Sequence, residues 1–164
     1  MDQEDQLSAR QAGQPELVVQ NWMYANSIHL IDYFTFLGRG EIINVEPVVH
    51  WSATKPFHVV SKITYSSGDI GLYEAAWNRP GPWSATDTVP EARYELRPME
   101  QISVQVYGSR KLEALPNHEW DSQFKAGLRA QAEEMLKVLK GESHQLPSLK
   151  DSLRSMELVA RIYS

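Results

Sequence analysis

The rhythm of apolar and polar positions changes along this chain. Residues 1–17 carry no useful periodicity and read as a flexible polar segment. From Tyr24 to Leu37 apolar residues dominate and Gly38 and Gly40 follow, so this stretch reads as a helix with a glycine stop. The period then shortens to two. Ile43–Trp51, Phe57–Tyr65 and Asp69–Trp77 read as strands; within them Phe57, Val59, Ile63 and Tyr65 alternate with His58, Lys62 and Thr64. Ser66-Ser67-Gly68-Asp69 supplies a hairpin turn. Asn78-Arg79-Pro80-Gly81-Pro82 ends the ladder, because proline has no N–H to give it. Further on, Tyr94 and Leu96 alternate with Arg93, Glu95 and Arg97, and Ile102, Val104 and Val106 with Gln101, Ser103 and Gln105. This last run has one wet face and one dry face.

Near Trp120 the period returns to that of a helix. Trp120, Phe124, Leu128, Ala132, Met135 and Leu139 share a stripe that stops at Gly141. Ser148-Leu149-Lys150-Asp151 resembles a capping box, and the helix after it is expected to bury Leu149, Leu153, Met156, Ala160 and Tyr163. Strands grouped apart from helices predict an α+β fold, with an open, mainly antiparallel sheet and helices packed on one face. The other sheet face is half polar and faces water or a partner subunit. A chain of 164 residues predicts one domain, here 18–164.

The formal net charge of -5 argues against nucleic acid and against anionic membrane as partners. The absence of cysteine excludes disulfides, thiol nucleophiles and cysteine-bound metals, and fits a cytoplasmic home. No apolar run is long enough for a transmembrane helix. The acidic start, Met1-Asp2-Gln3-Glu4-Asp5-Gln6, is unlike a secretory leader. A polar start running straight into a dense apolar stretch is read as a cut in a longer protein.

Candidate chemistry concentrates in the first long helix. Asn26, His29 and Asp32 recur every three residues along an otherwise apolar segment of Ile28, Leu30, Ile31, Phe34, Phe36 and Leu37. Buried without partners, each polar group would cost about 1–3 kcal/mol. Two readings stand with equal weight. One is a structural His–Asp hydrogen bond inside the core. The other is a polar rim aimed at a hydroxylated ligand, with His29 as a proton-transfer group. Trp22 and Tyr24, just upstream, join Asn26 and Asp32 as substrate-binding candidates. Gly38-Arg39-Gly40 follows a helix and lacks a third glycine, so it is a turn and not a dinucleotide loop. Trp77, Trp83 and the Asn78–Pro82 segment could form a sugar-stacking lip, but packing is the commoner use of such aromatics. The histidines at 29, 50, 58, 118 and 144 lack metal-ligand spacing, and no metal site is expected.

Two segments resemble the C-terminal domain of the Gfo/Idh/MocA oxidoreductases. Ser27-Ile28-His29-Leu30-Ile31-Asp32, followed by Phe36-Leu37-Gly38, is similar to that family's G-x-H-x-x-D helix. Leu146–Val159 resembles its closing helix, and Phe124–Gly141 the helix before it. The resemblance implies a sheet domain like the C-terminal domains of dihydrodipicolinate reductase and glyceraldehyde-phosphate dehydrogenase. It implies a two-domain parent whose N-terminal Rossmann domain, not found in this sequence, holds NAD or NADP. It implies a sugar, sugar-nucleotide or cyclitol substrate and a homodimer or tetramer built through the sheet. By the same resemblance His29 is the catalytic residue, accepting the hydroxyl proton during hydride transfer, and Asp32 orients it or binds a hydroxyl. No cofactor is expected on this chain alone, which is then inactive by itself. The alternative is a non-catalytic binding or assembly module that uses the same sheet as an interface. Two positions depart from the pattern: Ala25 stands where many members carry aspartate, and Ser27 replaces the motif glycine.

Overall fold

The structure, a computed structural model, describes residues 5–54 and 56–164. In chain order its elements are α1 (Asp5–Gln11), α2 (Glu16–Gln20), a π-turn (Met23–Ser27), α3 (Ile28–Leu37), β1 (Ile42–Val49), β2 (His58–Tyr65) and β3 (Ile70–Ala76). There follow β4 (Ala85–Val89), β5 (Ala92–Leu96), β6 (Ile102–Val106), β7 (Glu113–Ala114), α4 (Glu119–Gln123), α5 (Leu128–Lys140) and α6 (Leu149–Ile162). The expected class holds: helices grouped apart from antiparallel sheets make an α+β fold. The chain divides into two compact units, one running to Trp83 and resuming at Asp151–Ser164, the other Ser84–Lys150.

The first unit is an open antiparallel sheet, β1-β2-β3, with helices on its inner face. Alternation along β2 turns Val59, Ser61, Ile63 and Tyr65 inward, all buried, and His58, Val60, Lys62 and Thr64 outward. On β3, Tyr73 and Ala75 point the same way. Ile31 from α3 and Leu158, Val159 and Ile162 from α6 close this core. Burying each large apolar side chain contributes about 1.5–3 kcal/mol. Two glycines let α3 sit close to the sheet. A Cβ at Gly71 would lie 2.6 Å from the Phe34 ring, and one at Gly38 would lie 2.1 Å from the ring of Tyr65. Gly38 has an extended backbone, so it ends the helix because Tyr65 occupies its side-chain space and not because the chain turns left-handed there. The Tyr65 hydroxyl donates to the Phe34 carbonyl at 2.6 Å. Burial, with the charge of Asp69 nearby, pushes its pKa up to about 12.

Three local expectations are corrected. Helical structure begins earlier than the sequence indicated: α1 and α2 occupy part of the segment expected to be irregular, whose first four residues lie outside the described ones. Helices of one or two turns are too short to display a period. They are held by buried Ala9 and Val19 and by the Gln6 side chain donating to the Val19 carbonyl at 2.9 Å. The helix predicted over 24–37 opens as a π-turn, in which the Ile28 N–H reaches the Met23 carbonyl. Finally, α6 buries Ser155, Leu158, Val159 and Ile162, while Leu149, Leu153, Met156 and Ala160 are exposed. The helix carries two apolar stripes, and the sheet takes the one that the period alone did not single out.

In the second unit β4-β5-β6-β7 form an antiparallel sheet, with Tyr94 opposite Val104 and Arg93 opposite Gln105. The sequence did not reveal β4, whose Ala-Thr-Asp-Thr-Val is too polar and short, nor the two residues of β7. The helix expected from Phe124 onward is interrupted: Phe124 is extended, and Gly127 at φ 76° starts α5 afresh. Gly141, left-handed at φ 71°, ends α5 as expected. None of this unit's residues is buried, and Leu139, on the apolar stripe of α5, is 77% exposed.

Candidate functional site

Helix periodicity sorts the motif residues in the first unit. Met23, Ser27 and Ile31 point into the core. Ala25, His29, Asp32 and Phe36 form an exposed stripe on another side, spaced by four, three and four residues. His29 is therefore accessible to a ligand. The structural alternative, a buried His29–Asp32 hydrogen bond, is not what the structure contains. Asp32 Oδ1 instead accepts from the Ser155 hydroxyl on α6 and from Thr35 Oγ1 at 3.3 Å. The carboxylate thus ties α3 to α6 along the edge of the exposed stripe. Asn26 is half-buried on the π-turn. Trp22 packs on the core with its indole N–H buried and without an acceptor among the described residues. Tyr24 also packs on the core and, with Leu17, Val18, Asn21 and Ala25, lines a shallow, nearly apolar hollow beside the stripe.

Behind His29 lies a polar cluster that the sequence did not reveal. Ser27 is 1% exposed, and its Oγ accepts from the Tyr163 hydroxyl at 3.2 Å. The Tyr163 oxygen is 2.7 Å from the Tyr73 hydroxyl and accepts from Trp77 Nε1 at 3.3 Å. Burial raises the pKa of both tyrosines, so the phenols stay neutral. Trp51 leans on Trp77 and Tyr163 with ring centroids 4.4 and 5.3 Å away. The serine in place of the motif glycine is thus the acceptor that the network needs. A period-based search sees only apolar positions here, because phenol and indole count as apolar.

The remaining motif candidates have structural uses. Trp77 is a core residue, which settles it as packing. Arg79 sits over the Phe57 ring at 3.5 Å. Gly38-Arg39-Gly40 is a turn whose Arg39 guanidinium donates twice to Asp69, at 2.9 and 2.6 Å, and holds that carboxyl well below the usual range. A second, smaller cleft of about 210 Å³ lies at the end of α3, with Glu41, Tyr65, Arg154 and Arg161 on its walls and Arg154 3.4 Å from Glu41. Among the described residues no three His, Asp or Glu side chains gather as a metal site, and no helix is long and apolar enough to cross a membrane.

An open antiparallel sheet backed by helices is also the fold of part of several solved dehydrogenases, and this chain has that fold. No known family model matches the sequence, and no curated protein matches it. Among solved structures it is similar to UDP-N-acetylglucosamine 3-dehydrogenase GnnA from Acidithiobacillus ferrooxidans, with a TM-score of 0.65 and 15% identity over 82% of this chain and 44% of that one. It is similar to the dehydrogenase MviM from Clostridium difficile, with a TM-score of 0.65 and 11% identity over 87% of this chain and 47% of that one. It is also similar to a protein described as an NADPH-dependent oxidoreductase from Desulfitobacterium hafniense, with a TM-score of 0.58 and 15% identity over 83% of this chain and 43% of that one. The chain spans less than half the length of each of these three structures.

Proposed function

We propose that this chain is the substrate-side domain of an NAD(P)-dependent oxidoreductase acting on a hydroxyl of a sugar, sugar nucleotide or cyclitol. The observation that carries this reading is the exposed stripe of α3, which holds an accessible imidazole at 29 and a carboxylate at 32 in a fold used by such dehydrogenases. His29 is the general base that takes the hydroxyl proton as hydride leaves the same carbon. Asp32, already engaged by Ser155 and Thr35, is held at a fixed place where it can accept from a second hydroxyl. Tyr24 lines the hollow upstream, and Asn26 and Trp22, outside that lining, complete the proposed substrate-binding set. The nicotinamide that receives the hydride would be held by the parent's Rossmann domain. One protein of similar fold is a UDP-N-acetylglucosamine dehydrogenase, which supports a sugar-type substrate, and another is described as NADPH-dependent. A cytoplasmic home fits this chemistry.

The outer face of the first unit's sheet supports assembly with a second copy. The paired positions Glu46, Lys62 and Leu72 share that face, and Ile70 and Leu72 are among its exposed apolar residues. The two-fold related copy would place acid against base and Leu72 against apolar surface. The second reading, a non-catalytic assembly module, draws on the same face and on the exposed stripe of α5.

Calorimetric titration with NADH and NADPH tests the division of labour. This chain alone is expected to show no micromolar binding, and its full-length parent to show it. Micromolar affinity in the isolated chain would overturn the proposal. Sedimentation tests the assembly: Leu72→Lys is expected to turn a dimer or tetramer into monomer, and a wild-type chain that is monomeric at high concentration contradicts it.

A further inference from the structure

We propose that Tyr163 is a positioning residue: its hydroxyl fixes the π-turn in front of His29 and thereby the shape of the hollow beside it. The proposal rests on His29 being the ligand-facing group, but its tests use no ligand.

The argument begins with hydrogen-bond capacity. A phenol oxygen has one proton to donate and two lone pairs that accept. The proton of Tyr163 goes to Ser27 Oγ. One lone pair takes the Trp77 indole N–H, which can only donate. The Tyr73 hydroxyl, 2.7 Å away, must then donate to the other. All three positions are used; Ser27, Tyr73 and Trp77 are buried and Tyr163 partly so, which strengthens these bonds over their worth in water. The network joins β3, the segment just after it and the end of α6 to one atom, the oxygen of Ser27.

Ser27 is the last residue of the π-turn, the stretch in which the Ile28 N–H bonds five residues back to Met23. Such turns are rare and hold only where their surroundings fix them. Relaxation to an ordinary α-turn would rotate everything upstream by up to about 100°, one residue's share of a helical turn. The hollow straddles this point: Leu17, Val18 and Asn21 come from before the turn, Tyr24 and Ala25 from within it. Its wall next to His29 therefore exists only while the π-turn does. A hydroxyl two residues from the imidazole, anchored from behind by Tyr163, holds that geometry.

The test compares three single-group deletions in this chain by hydrogen exchange and NMR. Tyr163→Phe and Ser27→Ala each remove one end of the Tyr163–Ser27 bond. Tyr65→Phe removes another buried hydroxyl, the one bonded to the Phe34 carbonyl farther along α3, and serves as control. Tyr163→Phe and Ser27→Ala are expected to speed amide exchange over residues 23–29 at least about tenfold relative to the control. They should also shift the His29 ring and Ala25 methyl resonances, which the control leaves in place. The double variant should exchange no faster than Tyr163→Phe alone, because that deletion already removes the Tyr163–Ser27 bond along with the bonds to Tyr73 and Trp77. Uniform acceleration across α3 and the sheet, with the His29 and Ala25 resonances unmoved, would make Tyr163 a stability residue only and overturn the proposal. Additive effects of the two deletions would also overturn it. If Tyr163→Phe does not fold, Ser27→Ala decides alone by the same readouts. Because no substrate enters, a negative result here leaves the proposed role of His29 standing.

Discussion

The two compact units use similar sequence patterns to opposite ends. In the first, strands of period two meet helices of period 3.6, and the apolar faces close on one another around Ile63, Trp77 and Leu158. In the second, β6 alternates as cleanly as β2, and α5 is strongly amphipathic. Even so, no residue there is buried, and the apolar side of its sheet leaves Ile102, Val106 and Val89 exposed. The lesson is that an apolar stripe states a demand for a cover and does not supply one. The first unit meets that demand internally and can carry a fixed site. The second leaves apolar surface open, as a region whose stability comes partly from other chains or domains would.

The contrast makes ordered predictions. The largest effect is expected from Ile63→Ala, in the closed core: a loss of about 2–5 kcal/mol in denaturant unfolding. A loss under about 0.5 kcal/mol would mean that this core is not the source of stability. Gly38→Ala should follow, because its methyl would have to displace the Tyr65 ring. Overpacking of this kind costs about 1–3 kcal/mol. Next comes pH. An unfolded tyrosine ionises near pH 10, and folded Tyr65 near 12. Above pH 10 the unfolded chain releases a proton that the folded one keeps, so the Tyr65 contribution to stability should fall as pH rises from 10 to 12 and be constant below that window. Tyr65→Phe should soften the decline without abolishing it, since Tyr73 and Tyr163 are shifted the same way. A decline identical to wild type would remove Tyr65 from the explanation. The smallest effect is expected in the second unit, where Leu139→Ala should change the stability of the isolated chain by no more than about 0.5 kcal/mol. A core-sized loss there would erase the distinction between the units.

Much of this was legible in the sequence, and what was missed has definite causes. The strands of the first unit could be read because a sheet buried on one face writes a period of two into its residues, as Val59, Ile63 and Tyr65 do. The exposed position of His29 could not be read. Asn26, His29 and Asp32 suggested a stripe, yet the stripe that forms is Ala25, His29, Asp32 and Phe36, because the π-turn and the four-residue spacing decide what points outward. Asp32 was paired with the wrong residue: its partner Ser155 lies on a helix more than a hundred residues away and has no pattern of its own. The orientation of α6 was missed because two apolar stripes compete on it, and only the sheet chooses between them. The network around Tyr163 was invisible because aromatic rings are counted by their apolar bodies, while here their polar tips make the connection.

The central claim is that the imidazole on the outward side of α3 handles a substrate proton. Turnover of the full-length parent carrying His29→Ala, followed alongside circular dichroism to verify folding, tests it most directly. General-base catalysis predicts a fall of about 10²–10⁴-fold with the spectrum unchanged. Wild-type turnover in a folded His29→Ala enzyme would contradict it, and the chain would then stand as an assembly module.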